Sequence, residues 1–233
     1  LRTLYVAQQR TQAKEIIMSI SVGDTLPNAT LIRMGADGPE EVDLASALKG
    51  RKVVIFAVPG AFTPTCHSAH VPSFIRTKGD FDAKGVDEII CVSVNDPFVM
   101  KAWGEATGAA DAGISMLSDA QSEFTKALGM DFTAPPVGLI ARSSRYAIFA
   151  EDGVVKVLHK EESPGTCEIS GGEAMLAASD RKEKAGPRAR PFWFVLHLLS
   201  MKVPEAEGQF EPVITDAAQH TGGWQSPEAD TGS

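Results

Sequence analysis

Two apolar runs limit most of what this chain can become. Residues 52–58 read KVVIFAV and residues 88–94 read EIICVSV. Both are short, rich in β-branched residues and bounded by polar or turn residues, so they are predicted to be buried strands. Between them, residues 65–84 carry apolar side chains at helical spacing. A further helix is predicted after Asn95-Asp96-Pro97, with Asn95 or Asp96 as cap and Pro97 in the first turn. SEFTKALG, residues 122–129, predicts a short helix closed by Gly129. VGLIA (137–141), RYAIFAEDG (145–153) and VVKVLHKE (154–161) predict three more strands, with a hairpin turn at Asp152-Gly153. Strands and helices that alternate and then give way to a hairpin predict an α/β fold, a mixed central sheet flanked by helices.

That pattern spans residues 19–179, which are predicted to form one domain. Residues 1–18 are predicted to be an N-terminal extension. They carry Arg2, Arg10 and Lys14 against the single acid Glu15, a balance that suits an organelle-targeting segment. Met18 reads equally well as a start, with unrelated residues before it. After residue 179 the charged, proline-broken DRKEKAGPRARP leads into the apolar PFWFVLHLL and then a low-complexity end. Residues 180–233 are predicted to be a disordered tail. PFWFVLHLL suits a membrane-surface or partner-binding helix but falls short of the ~20 apolar residues that a membrane span needs.

The net charge of −8 argues against a nucleic-acid partner, because phosphate binding needs a basic face. Three cysteines, Cys66, Cys91 and Cys167, are too few to staple a secreted domain. They form no C-x-x-C pair, and His67 and His70 beside Cys66 make a poor tetrahedral set. No metal or other cofactor is expected.

One cysteine stands out by position. In VPGAFTPTCHSAH, Thr63 is predicted to cap a helix, Pro64 to be its first residue and Cys66 to sit in its first turn. There the orphan backbone N–H groups and the helix dipole favour an anion, hence a reactive thiolate. The strand-to-helix turn holds that thiol at the carboxyl edge of the sheet, where α/β proteins place their sites. A disulfide exchanger would carry a second cysteine in the same turn, and here His67, Ser68 and Ala69 follow instead.

PGAFTPTC, with Pro59, Thr63 and Cys66 at P-x-x-x-T-x-x-C spacing, resembles the peroxidatic loop of peroxiredoxins. VPGAFTPTCHSAHVPSF, VSVNDPFVMKAWG (92–104), the Arg145-Tyr146 step and EDGVVKVL (151–158) are similar to the type II, atypical 2-Cys branch. The resemblance runs from about Ser21 to Leu176. It implies a thioredoxin-like fold and a thiol-dependent peroxidase that reduces hydrogen peroxide and alkyl hydroperoxides through a sulfenic acid at Cys66. It implies that Thr63 holds the thiolate and a peroxide oxygen, that Pro59 shields the loop, and that Arg145 supplies a fixed positive charge. Arg142 is a competitor for that last role, and only the family pattern of an arginine before an aromatic selects Arg145.

The resemblance also implies electrons from thioredoxin, glutaredoxin or glutathione, and a homodimer near the aromatics Phe62, Phe98 and Trp103. Those three read equally well as ordinary core. For the resolving cysteine, Cys167 in SPGTCEIS matches the place used by some atypical 2-Cys members. Cys91, inside EIICVSV and expected to be buried, is the alternative used by others. Two further functions compete: a thiol–disulfide oxidoreductase on the same fold, and a non-enzymatic redox sensor or chaperone. The expected compartment is the cytoplasm, with a mitochondrion or another organelle as the alternative.

Overall fold

The apolar runs become adjacent central strands because both of their faces are covered. The computed structural model describes residues 19–185. The predicted N-terminal extension and the tail from residue 186, PFWFVLHLL included, lie outside the described residues. Strand β3 (Lys52–Val58) runs parallel to β4 (Glu88–Ser93), with Val53 opposite Glu88 and Val58 opposite Ser93. Side chains alternate along β3. Val54, Phe56 and Val58 pack with Phe74, Phe81, Trp103 and Met175. Val53, Ile55 and Ala57 pack with Leu31, Leu44, Leu48 and Phe124. A strand buried on both faces reads as a continuous apolar run, which is how KVVIFAV reads.

The other strands build outward from this pair. β8 (Tyr146–Glu151) lies antiparallel to β3, and β9 (Val154–Lys160) antiparallel to β8. Their turn is Asp152-Gly153, with φ of 50° and 72°, the left-handed pair that a two-residue hairpin demands. On the far side β5 (Ile114–Ser118) is parallel to β4, followed by β1 (Thr30–Met34) and β2 (Pro39–Asp43). The order β2-β1-β5-β4-β3-β8-β9 makes a mixed seven-stranded sheet.

Helices α2 (Val71–Ala83), α3 (Pro97–Thr107) and α5 (Gly172–Ala185) supply the cluster around Phe56. The short α1 (Leu44–Leu48) and α4 (Glu123–Ala127) supply the other. Asp96 caps α3 by accepting from Val99 N at 2.9 Å, and Gly108 ends it at φ 74°. The fold is the mixed, helix-flanked α/β arrangement read from the sequence.

The differences are local. The strand expected at 137–141 starts later, because Pro135–Val137 forms a 3₁₀ turn ended by Gly138 at φ 71°. β7 (Leu139–Ser143) then pairs with β6 (Asp131–Ala134) in a separate small hairpin. Helix α5 continues six residues past Ser179, and its Asp180 pairs with Lys84 at the end of α2.

Candidate active site

The Cys66 turn begins where β3 leaves the sheet. Pro59 and Gly60 are buried, and Phe62 takes the left-handed conformation at φ 60° to reverse the chain. Pro64 opens the helix as its first residue, and Thr63 O accepts from His67 N at 2.9 Å. The first turn is wide: Cys66–His70 is π-helical, and Val71 N donates to Cys66 O. Such bulges shift side chains out of helical register and cluster at functional sites. The Thr63 side chain does not cap the helix as expected. Its hydroxyl turns back and donates to Gly60 O at 2.9 Å, bracing the loop. Asn95, one of the two expected caps of α3, instead accepts from Ala61 N at 3.0 Å and Ser93 Oγ at 2.7 Å. That ties the Cys66 loop to the end of β4.

Arg145 reaches the same place from the neighbouring strand. β3 and β8 are antiparallel with Ala57 opposite Tyr146, so the start of β8 lies beside the end of β3. The Arg145 guanidinium is buried, at 1% exposure. Its Nη2 donates to Cys66 Sγ at 3.3 Å and to Pro164 O at 2.8 Å. Its Nη1 donates to His70 Nδ1 at 3.1 Å. His70 Nε2 in turn donates to Ser170 O at 2.9 Å, which fixes the neutral tautomer. Burial, and then the nearby Arg145 charge, push the His70 pKa down to about 3. The partners of this guanidinium are therefore a carbonyl, a neutral imidazole and a thiol. A buried cation needs an anion, and of the three only Cys66 Sγ can become one. Arg142, the competitor, lies on β7 and donates to Val94 O at 2.9 Å.

The other cysteines differ in kind. Cys91 sits on β4 opposite Phe56 and Met116 with no exposed surface, and burial pushes its thiol well above the ordinary range. Cys167 is half-buried in the loop between β9 and α5, and burial raises its thiol too, against the pull of Arg145. That loop is held by Glu161. Its Oε1 accepts from the backbone N–H of Glu168, Ile169 and Ser170 and from Ser170 Oγ, each at 2.8 Å. Burial pushes the Glu161 carboxyl up, but these hydrogen bonds more than offset it and hold it below the usual carboxylate range. Thr65 Oγ1 donates to Gly165 O at 2.9 Å and links the loop to the Cys66 turn.

Of the three aromatics, Trp103 is core and its indole donates to His67 Nδ1 at 3.2 Å. Phe62 and Phe98 are 53% and 64% exposed, which removes them from the core. The sequence reading weighed His70 only as a metal ligand and missed its place beside Arg145, and it missed Glu161 altogether. His70 lies four residues after Cys66, a spacing that puts both on one helix face. Glu161 follows a strand with no local signal.

A buried guanidinium against a thiol, at the carboxyl end of a parallel strand in this sheet, defines a thiol-dependent enzyme on a thioredoxin-like fold. Residues 21–176 match the family model described as Redoxin. The chain is similar to Peroxiredoxin-2E-2, chloroplastic, of Oryza sativa subsp. japonica, at 53% identity over 71% of this chain and 75% of that protein. It is 48% identical to Peroxiredoxin-2E, chloroplastic, of Arabidopsis thaliana, over 70% of each chain. Among solved structures, reduced Prx3 in complex with H2O2 from Vibrio vulnificus matches at 49% identity and TM-score 0.64, over 68% of this chain and 98% of that one. The chain belongs to the peroxiredoxin family. It is a thiol-dependent peroxidase, with a hydroperoxide as substrate and a thiol as reductant, and this reading prevails over the exchange and sensor readings. Among the described residues no helix is long and apolar enough to cross a membrane.

Proposed function

We propose that Cys66 is the peroxidatic cysteine and Arg145 its activating cation. The observation that carries this is the buried 3.3 Å contact from Arg145 Nη2 to Cys66 Sγ. The thiolate attacks the terminal oxygen of the hydroperoxide and the O–O bond breaks. The leaving oxygen takes a proton and departs as an alcohol or water, and the sulfur becomes a sulfenic acid. Arg145 stabilises the starting anion and the charge that moves onto the leaving oxygen. Thr63, whose own hydroxyl proton is held by Gly60, keeps its oxygen as an acceptor for the peroxide hydrogen. Pro59, buried behind the turn, keeps water from the thiolate.

Cys167 is the resolving thiol in this reading. Its sulfur attacks Cys66–SOH, water leaves, and a disulfide forms for thioredoxin, glutaredoxin or glutathione to reduce. Two observations support Cys167 over Cys91. Pro164 O shares Arg145 Nη2 with Cys66 Sγ, so the Cys167 loop already borders the site. Cys91 is wholly buried in the core cluster that also holds Cys66, with no loop of its own to move.

The exposed Phe62 and Phe98 favour a homodimer. The chloroplast in the names of the two 2E relatives favours an organelle, a plastid, over the cytoplasm. The proposed catalytic domain extends from the expected 19–179 to residue 185, where α5 ends, with 1–18 as an extension and the rest as a tail. Stopped-flow peroxide consumption with thioredoxin and glutaredoxin offered separately tests the whole reading. Rapid loss of one peroxide per Cys66 before any donor is added is expected, and its absence would sink the assignment.

A further inference from the structure

We propose that Glu161 is a positioning residue of the peroxidase reaction: it latches the Cys167 loop and, through Ser170 and His70, sets where Arg145 stands against Cys66. The proposal rests on the roles given above to Cys66, Arg145 and Cys167.

A single carboxylate oxygen gathers the loop. Glu161 Oε1 accepts from three consecutive backbone N–H groups and a hydroxyl, and Oε2 accepts from Thr166 Oγ1 at 3.3 Å. Consecutive N–H groups around an anion form a nest, and each such bond is charge-assisted. Little else holds the loop by burial, since residues 162–165, 168 and 169 are exposed. The backbone of Glu161 is tied to the other partner, for its N–H donates to Arg145 O at 3.0 Å.

From the latch, a continuous path leads to the sulfur. Ser170, fixed by Glu161, offers its carbonyl to His70 Nε2. His70 Nδ1 accepts from Arg145 Nη1, and Arg145 Nη2 reaches Cys66. A second tie runs directly from Arg145 Nη2 to Pro164 O in the same loop. Forming the Cys66–Cys167 bond requires the two Cα atoms within ~7 Å and the loop free to move. Once the loop leaves Glu161, His70 loses Ser170 O and Arg145 loses Pro164 O. The geometry that favours peroxide attack and the geometry that permits resolution are thus alternatives, and Glu161 sets the balance between them.

The test uses the full chain and follows two steps by stopped flow, sulfenic acid formation and then disulfide formation. Glu161→Gln keeps the shape and removes the charge. The disulfide step is expected to speed up by about tenfold, equivalent to about 1.4 kcal/mol of latch. Peroxide attack and alkylation of Cys66 at neutral pH are expected to slow. A merely structural role would not move the two steps in opposite directions. Peptide mapping of the oxidised wild type separates two failures. No Cys66–Cys167 disulfide there would overturn the choice of resolving cysteine. That disulfide present, with both steps unchanged in Glu161→Gln, would overturn the latch. Should Glu161→Gln not fold, hydrogen exchange of the wild type decides. The amides of residues 168–170 are expected to be protected in the thiol form and unprotected in the disulfide form, and equal exchange in both forms overturns the proposal.

Discussion

The turn carrying Cys66 and the loop carrying Cys167 are built by opposite means. Cys66 belongs to a core cluster with Val54, Phe56, Val58, Phe74 and Trp103, all without exposed surface. Each such side chain is worth about 1.5–3 kcal/mol on burial, so the turn's stability is spread over many contacts. Most of the Cys167 loop is exposed, and its order comes from hydrogen bonds: four to one oxygen of Glu161, and others to Thr65, His70 and Arg145. A region held by many apolar contacts yields gradually, whereas one held by a small set of linked hydrogen bonds comes away as a unit. A thiol that must stay put and a thiol that must travel are suited by these two kinds of support.

The sharpest break in that comparison comes from removing the fixed thiol. Cys66→Ser should abolish peroxide turnover while the melting temperature is kept; residual turnover near the wild-type rate would refute the assignment. Next comes the cation. Arg145→Ala should slow peroxide attack on the order of 10²–10³-fold, the loss seen when one preorganised donor is removed. Arg145→Lys should restore only part of it, because a point charge lacks the planar fork that serves both Cys66 and His70. Single-turnover rates of both variants check this.

The travelling thiol gives a smaller change. Cys167→Ser should leave the first peroxide attack intact and remove the disulfide from the peptide map, whereas Cys91→Ser should keep it. A Cys66–Cys91 link in the wild type would reverse the roles.

Acid then separates the two supports. An unfolded histidine takes up its proton near pH 6.5, whereas buried His70 holds out to about 3. Between those values the unfolded chain binds more protons, so stability falls as pH falls. The loss should be about 2 kcal/mol at pH 5 relative to neutral pH, read from urea midpoints. His70→Gln should flatten that part of the curve. The lowered carboxyl of Glu161 acts in the same direction, but only once pH falls through the carboxylate range. The smallest effect is expected from the ends: a chain trimmed to residues 19–185 should turn over peroxide as the full chain does, and a large fall in melting temperature would show that the ends contribute.

Strand periodicity made the central pair, the Asp152-Gly153 hairpin and the helix after Pro64 readable in advance, because each depends on residues near in sequence. What joins distant residues was not readable. Residue chemistry does not separate Arg142 from Arg145; the family pattern of an arginine before an aromatic chose Arg145, and the register of β3 on β8 is what brings it to the sulfur. Nothing in HKEESPG announces that Glu161 turns inward to a nest of amides seven to nine residues later. Thr63 shows a third limit. Its type suited a cap, yet the close carbonyl of Gly60 took its hydroxyl.

The antiparallel register of β3 and β8 has a consequence for how this chain can change in length. Cys66 and Arg145 meet only because Ala57 stands opposite Tyr146. Everything between the two strands is threaded through loops that return to fixed anchor points. Loops far from the site can gain or lose residues without moving the cation off the sulfur, whereas the turn of residues 59–65 cannot. One residue inserted inside β3 or β8 would turn its alternate side chains to the opposite face. The meeting of the two strands therefore works like the teeth of a key: length is free in loops far from the site, but at this edge a single added unit stops the lock from turning.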